Sequence, residues 1–175
     1  MDPREFPTKG NLMLAKNSLA LARQGYELMD KKRNILLKEL LGLIDEAKDI
    51  QEQIDSTFTR AYACLQHANI DMGISKVQEL AFTVPIEDSI RIQTRSIMGT
   101  EIPHVKYDAK ENNLTYSFST TRESIDIARE AFREVKDLTV KLSAVENSAY
   151  RLAANIKKTQ KRANALKNIT IPMYT

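Results

Sequence analysis

From Leu12 the chain can be stepped in alternating threes and fours through Ala15, Leu19, Ala22, Tyr26, Met29, Arg33, Leu36, Leu40, Leu43, Ala47, Ile50, Ile54, Thr57, Ala61, Cys64 and Ala68. Only Arg33 and Thr57 on that path are not apolar. A 3.5-residue period sustained this long defines a coiled-coil seam, because such side chains stay on one face of a slightly underwound helix. Pro7 and Thr8 precede the stripe as helix-start signals, and no proline follows before Pro85. A second stripe runs Ala128, Ala131, Val135, Leu138, Leu142, Val145, Ala149, Leu152, Ile156, Thr159, Ala163, Leu166, with Thr159 its one polar member. An isolated seam must find a partner, and the nearest lies in the same chain. The alanines permit close approach, so the fold class expected is mainly α: a long antiparallel two-helix coiled coil.

Between the stripes the texture changes. After Pro85, residues 89–97 (SIRIQTRSI) roughly alternate apolar and polar, Met98-Gly99 and Pro103 punctuate, and His104–Tyr107 and Leu114–Phe118 flank the polar DAKENN. Period-two segments bounded by Gly, Pro and Asn predict short strands, hence a small β-hairpin insert at the bend. The expected organisation is residues 1–6 vector-derived, 7–84 the first coiled-coil helix, 85–118 the insert and 119–175 the second helix. MDPREF is set aside because Asp-Pro and Glu-Phe are what common cloning sites encode.

With 175 residues, 42% of them hydrophobic but only 6% aromatic and none Trp, the chain favours long helices over a thick core. The single cysteine, Cys64, excludes an internal disulfide framework. No run approaches the roughly 18 apolar residues of a membrane span, and there is no signal-peptide core. Histidines 67 and 104 have no metal-ligand or triad spacing, the five glycines form no phosphate loop, and the Asp45, Glu46, Asp49 and Glu52 carboxylates lack the concave pocket that acid-base work needs. No catalytic, cofactor or metal residue is expected.

Charge is unevenly placed. Pro7 to Lys38 carries seven basic residues against Glu27 and Asp30, and the stretch after Glu146 carries six with no acid; residues 39–146 hold net −7 within an overall +3. Antiparallel pairing with Ala68 level with Ala128 puts Lys31, Lys32, Arg33 and Lys38 near Lys158 to Arg162 as a basic collar, and Leu166 near Asp30. Like charges at one level repel, which argues for an acidic or phosphate-bearing surround. On the same pairing the seam from Leu12 to Met29, about 27 Å at 1.5 Å per residue, lacks a partner, so a longer C-terminal helix is expected. Gly25 within the seam marks either a place of close approach or a tolerated surface glycine.

These residues resemble a known family. Pro7-Thr8-Lys9 with Leu12, then Ala22, Gly25, Leu28 and Lys31-Lys32-Arg33, resembles the N-terminal helix of the D subunit of the V-type and archaeal-type rotary ATPases. Ser96-Ile97-Met98-Gly99 with Pro103 is similar to its central hairpin, and Arg162-Ala163-Asn164-Ala165-Leu166 with Ile171-Pro172 to its Arg-Val-Asn-Ala-Leu-Glu motif and following Ile-Pro. Ala163 and Lys167 depart from the family's valine and glutamate. The resemblance implies a non-catalytic central-stalk rotor, peripheral on the cytoplasmic face of the membrane and without cofactors. It would transmit torque between a ring of A and B catalytic subunits and the membrane ring, bound to the F subunit of the central stalk and to the C (d) adaptor of the membrane ring, with neither nucleic acid nor membrane insertion. Arg23, Lys31, Lys32, Arg33, Lys158, Lys161 and Arg162 are the expected contacts to the head. Ile97, Met98, Gly99 and Pro103 mark the regulatory or adaptor-facing insert. The competing readings are a generic coiled-coil scaffold, which leaves the insert and the ordered motifs unexplained, and a nucleic-acid-binding hairpin, which lacks interleaved aromatics.

Overall fold

The computed structural model describes residues 7–107 and 115–175. The proposed vector residues 1–6, the polar turn at 108–113 and Leu114 lie outside the described residues. Helix α1 spans Lys9–Met72 and α2 Ile74–Ala81; strands β1 (Ile90–Ile97) and β2 (Thr100–Tyr107) follow, then a 3₁₀ turn at Phe118–Thr120 and α3, Glu123–Ala165. A π turn, Leu166–Thr170, leads into the short α4, Ile171–Met173.

Thr8 begins α1 as its spacing predicts: its Oγ1 accepts from the Asn11 N–H at 3.2 Å and its carbonyl from the Leu12 N–H at 3.0 Å, satisfying donors that a helix start leaves without partners. The first helix does not run unbroken to residue 84. It stops at Met72 because Gly73 adopts φ 84°, a left-handed conformation open to glycine, and α2 restarts beyond it.

The chain divides into two compact units. The first comprises Met1–Gly42, Ser96–Thr100 and Ala149–Thr175. Here α1 packs on α3 through Ala22, Leu36, Leu152 and Ala163, with Leu36 and Leu152 fully buried. The second comprises Leu43–Arg95 and Glu101–Ser148. In it Ala61, Ala68, Ala128 and Ala131 are buried at the α1–α3 seam, and α2 adds Val77 to the cluster of Ala68, Ile125 and Ala128. Each buried methyl contributes only about 0.8 kcal/mol, so the small residues serve close approach more than burial. Phe58 stacks on Tyr62 and Tyr62 meets Phe132 edge-on beside this seam, and Arg60 pairs with Glu134 across it.

The insert forms an antiparallel two-stranded sheet. Its turn is Met98-Gly99, both with positive φ (49° and 73°), the signature of a type I′ hairpin whose twist suits paired strands. The strand expected over Leu114–Phe118 is not one where described: Phe118–Thr120 is a 3₁₀ turn, Ser117 caps it through Ser119 N–H, and Thr115 and Tyr116 are irregular. Pro103, expected as a boundary, sits inside β2.

Candidate functional site

Among the basic residues on the first unit's helices, those at 31–33 and 158–162 lie at one level, and one of them differs in role. Arg23, Lys31, Lys158, Lys161 and Arg162 are exposed and Lys32 is half-buried; among the described residues none of the six has an ion-pair partner. Arg33 is different. Its guanidinium donates to Gln160 Oε1 on α3 at 2.8 Å, pairs with Asp30 at 2.7 Å and reaches Asn34 Oδ1 at 3.2 Å. It fastens α1 to α3 rather than standing free for a partner. The Arg33–Gln160 bond also establishes that 31–33 and 158–162 share a level.

The register differs from the expected one. Leu166 lies against Gly25, its Cδ1 3.6 Å from where a Cβ would stand, and the Lys167 ammonium lies 5.9 Å from the Tyr26 ring centroid. Leu166 therefore faces Gly25 rather than Asp30. The stretch without a partner on the seam is correspondingly shorter than Leu12–Met29. The contact at Gly25 is not an unusually close one: a Cβ there would meet Leu166 Cδ1 at an ordinary 3.6 Å.

On α1 a second apolar stripe emerges that the seam concealed. Leu14, Leu21 and Leu28 recur every seven residues at 64–68% exposure and Ile35 continues them, on a different face from the seam. In the second unit Ile70, Ile74, Phe82, Ile86 and Phe118 are exposed large apolar residues. Exposed apolar residues mark sites of protein–protein contact where they gather into a contiguous patch.

The hairpin is held on α3 by polar groups that sequence patterning missed. Asn155 Nδ2 donates to Thr100 Oγ1 at 2.7 Å while Thr159 Oγ1 donates to Asn155 Oδ1 at 3.3 Å, in the first unit. In the second, Ser148 Oγ donates to the Ala144 carbonyl of its own helix at 2.7 Å and shares that proton with the Pro103 carbonyl at 3.2 Å. Thr100, Ser148 and Thr159 are buried. Ser148 and Asn155 are seven apart on α3, and that polar heptad beside the apolar one was the available signal. Of the insert residues singled out, Met98 is exposed at the turn and Ile97 half-buried.

Before the hairpin, Glu87 is bound to the Lys136 ammonium at 2.7 Å and to the Ser89 hydroxyl and N–H. The Lys136 hydrogen bond, then those from Ser89, hold its carboxyl down at about 2. Tyr116 donates to Asp126 at 2.5 Å and lies under Arg129; burial first, and then Asp126, push its phenol above the usual range.

Two open clefts accompany these features, both in the second unit. One, about 470 Å³, is lined by Leu43, Glu46, Arg95, Ile102, His104, Asp137 and Lys141 among others, and the other by Cys64, His67, Asp71 and the start of α3. Among the described residues no group of His, Cys, Asp and Glu could hold a metal ion, and no helix is long and apolar enough to cross a membrane.

A paired-helix fold with a short hairpin insert, basic on its first unit and apolar at exposed places on both, is that of an assembly component. The chain belongs to the family of ATP synthase D subunits, whose model matches residues 11–175. It is 43% identical over 166 residues to the V-type ATP synthase D subunit of Thermotoga neapolitana, covering 95% of this chain and 82% of that one. The A-type ATP synthase D subunits of Pyrococcus abyssi and Pyrococcus horikoshii are 33% and 35% identical, each covering 95% of this chain and 79% of theirs.

Proposed function

We propose that this chain is the non-catalytic central-stalk rotor subunit of a V/A-type ATP synthase or ATPase, peripheral on the cytoplasmic face of the membrane. The observation that carries the reading is the family match across residues 11–175 on a chain built as a helical pair. A generic scaffold would need neither that match nor the hairpin insert.

The first unit's basic residues Arg23, Lys31, Lys32, Lys158, Lys161 and Arg162, all exposed but the half-buried Lys32, face the ring of A and B subunits. Exposed ion pairs are worth only about 0–1 kcal/mol each, so a turning shaft exchanges them at small cost. Arg33 leaves that set because its partners are internal. The exposed apolar residues Ile70, Ile74, Phe82, Ile86 and Phe118 are offered to the C (d) adaptor of the membrane ring, and the F subunit binds the stalk alongside. The insert around Ile97, Met98, Gly99 and Pro103 is a regulatory contact. Torque passes through the helices, so nucleotide state in the head and ion movement in the membrane ring are coupled in either direction.

The test is Lys161→Glu combined with Arg162→Glu in the assembled complex. Hydrolysis should become less coupled to rotation and ion transport. Unchanged torque and coupling would remove the basic residues from the mechanism.

A further inference from the structure

The two-residue turn fixes the register of the hairpin. Ile97 and Thr100 close it as a hydrogen-bonded pair, so Arg95 faces Ile102, Thr94 faces Pro103, Gln93 faces His104 and Arg91 faces Lys106. By the same alternation Arg91, Gln93 and Arg95 turn their backbone groups toward β2, whereas Ile90, Ile92 and Thr94 turn theirs away. On β2 the outward positions include Pro103. Proline lacks an N–H and fits a strand only on such a side, and its carbonyl already accepts from Ser148. The outer edge of β2 is interrupted by proline and held on α3; that of β1 is neither.

β1 is eight residues long, free of proline, and exposed at every position before Ile97. Ile92 is 72% exposed. Among the described residues nothing bonds to the outward N–H and C=O of Ile92 or Thr94. Natural sheets shorten, bend or cover such an edge, since it templates another strand.

The sign of the partner is written beside it. Arg91 and Lys106 stand directly opposite each other on one face, an arrangement that destabilises a strand pair, and among the described residues neither has an ion-pair partner. Arg95 and His104 extend that face; Arg95 at least shares a cleft with Glu46 and Asp137. The Arg91–Lys106 repulsion has no such answer within the described chain.

We propose that the outer edge of β1, from Ile90 to Thr94, receives an extended acidic segment of another component of the ATP synthase as an added strand. The outward backbone groups supply the ladder, and Arg91 with Lys106 selects carboxylates on the incoming strand. A second copy of this chain is a poorer occupant, because edge-to-edge pairing would bring arginines against arginines. The inference rests on the reading of the insert as partner-facing and names the partner's chemistry.

Hydrogen exchange resolved to single amides, on the full chain alone and in the purified assembled complex, tests it. The Ile92 and Thr94 amides should exchange freely in the isolated chain and at least about tenfold more slowly in the complex, while the inward amide of Gln93 is protected in both. Thr94→Pro copies the proline across the ladder, so the hairpin persists, and Ile92 should lose its protection in the complex. Arg91→Gln with Lys106→Gln should reduce that protection. No slowing at Ile92 and Thr94 in a complex that contains the chain overturns the proposal. Slowing that survives Thr94→Pro means a surface merely covered, which also overturns it, as does concentration-dependent protection of the isolated chain. Entry into the complex is read separately by co-purification, so failure of the rotor reading is distinct from failure of the added strand.

Discussion

At the scale of single residues, glycine and methionine mark the two positions where the backbone is most informative. Gly25 lies in helical backbone with Leu166 Cδ1 3.6 Å from a would-be Cβ, an ordinary contact distance. Gly25→Ala should therefore stabilise the chain by about 0.5–1 kcal/mol, since alanine recovers helix propensity without a clash; a denaturant midpoint checks it, and a fall would mean the approach is tighter than it measures. Met98 holds φ 49°, where side chains other than Asn, Asp and Gly are disfavoured by roughly 1 kcal/mol. Met98→Asn should gain about that much in thermal unfolding. Glu87 makes the pH-dependent contribution. Its folded value near 2 lies below the ordinary 4.5, so its stabilisation is complete above pH 4.5 and is lost as pH falls from there toward 2. Lys136→Gln should erase most of that dependence, and parallel acid-unfolding curves for parent and variant would refute the pairing.

At the scale of elements, the two long helices were legible because their stripes leave few gaps over many turns. Thr8 as the start of α1 was legible too, for a side-chain oxygen ahead of an apolar stripe has a physical use. The break at Gly73 was not, because the seam up to Ala68 gives no sign that the next glycine turns left-handed. The hairpin turn was legible only in part: Met98-Gly99 stood out as punctuation, but without the Asn-Gly signal its two-residue length did not, and Pro103 fell inside β2 rather than at a boundary. The docking of the insert was hidden for a different reason. Thr159 looked like a lapse in an apolar seam, whereas it completes the Thr100–Asn155–Thr159 network. Asn155→Ala would leave buried hydroxyls short of partners, at about 1–3 kcal/mol. The expected result is lower stability with faster exchange at β2, and an unchanged midpoint would mean that water replaces the amide.

At the scale of the whole molecule, charge placement was readable from composition along the chain, while the division of labour within it was not. Nothing in Lys31-Lys32-Arg33 distinguishes the arginine that ties two helices from the lysines that do not, since only the partner Gln160 separates them. Because like charges gather in the first unit, sodium chloride should raise the melting temperature of the isolated chain as the Debye length shrinks from about 30 Å at 0.01 M to about 8 Å at 0.15 M. A fall would show ion pairs outweighing repulsion. The π turn bears on how this molecule can be rebuilt. Heptad counting past Ala163 and Leu166 points to Thr170 and Met173, yet the wider Leu166–Thr170 turn intervenes and Met173 is 74% exposed. Pro172, which has no N–H to return to Asn168, accompanies that widening. Residues after Thr170 are thus shifted in phase relative to the α3 seam, and any grafted or lengthened helix must begin its repeat anew there, or it will carry its apolar residues around to the wrong side.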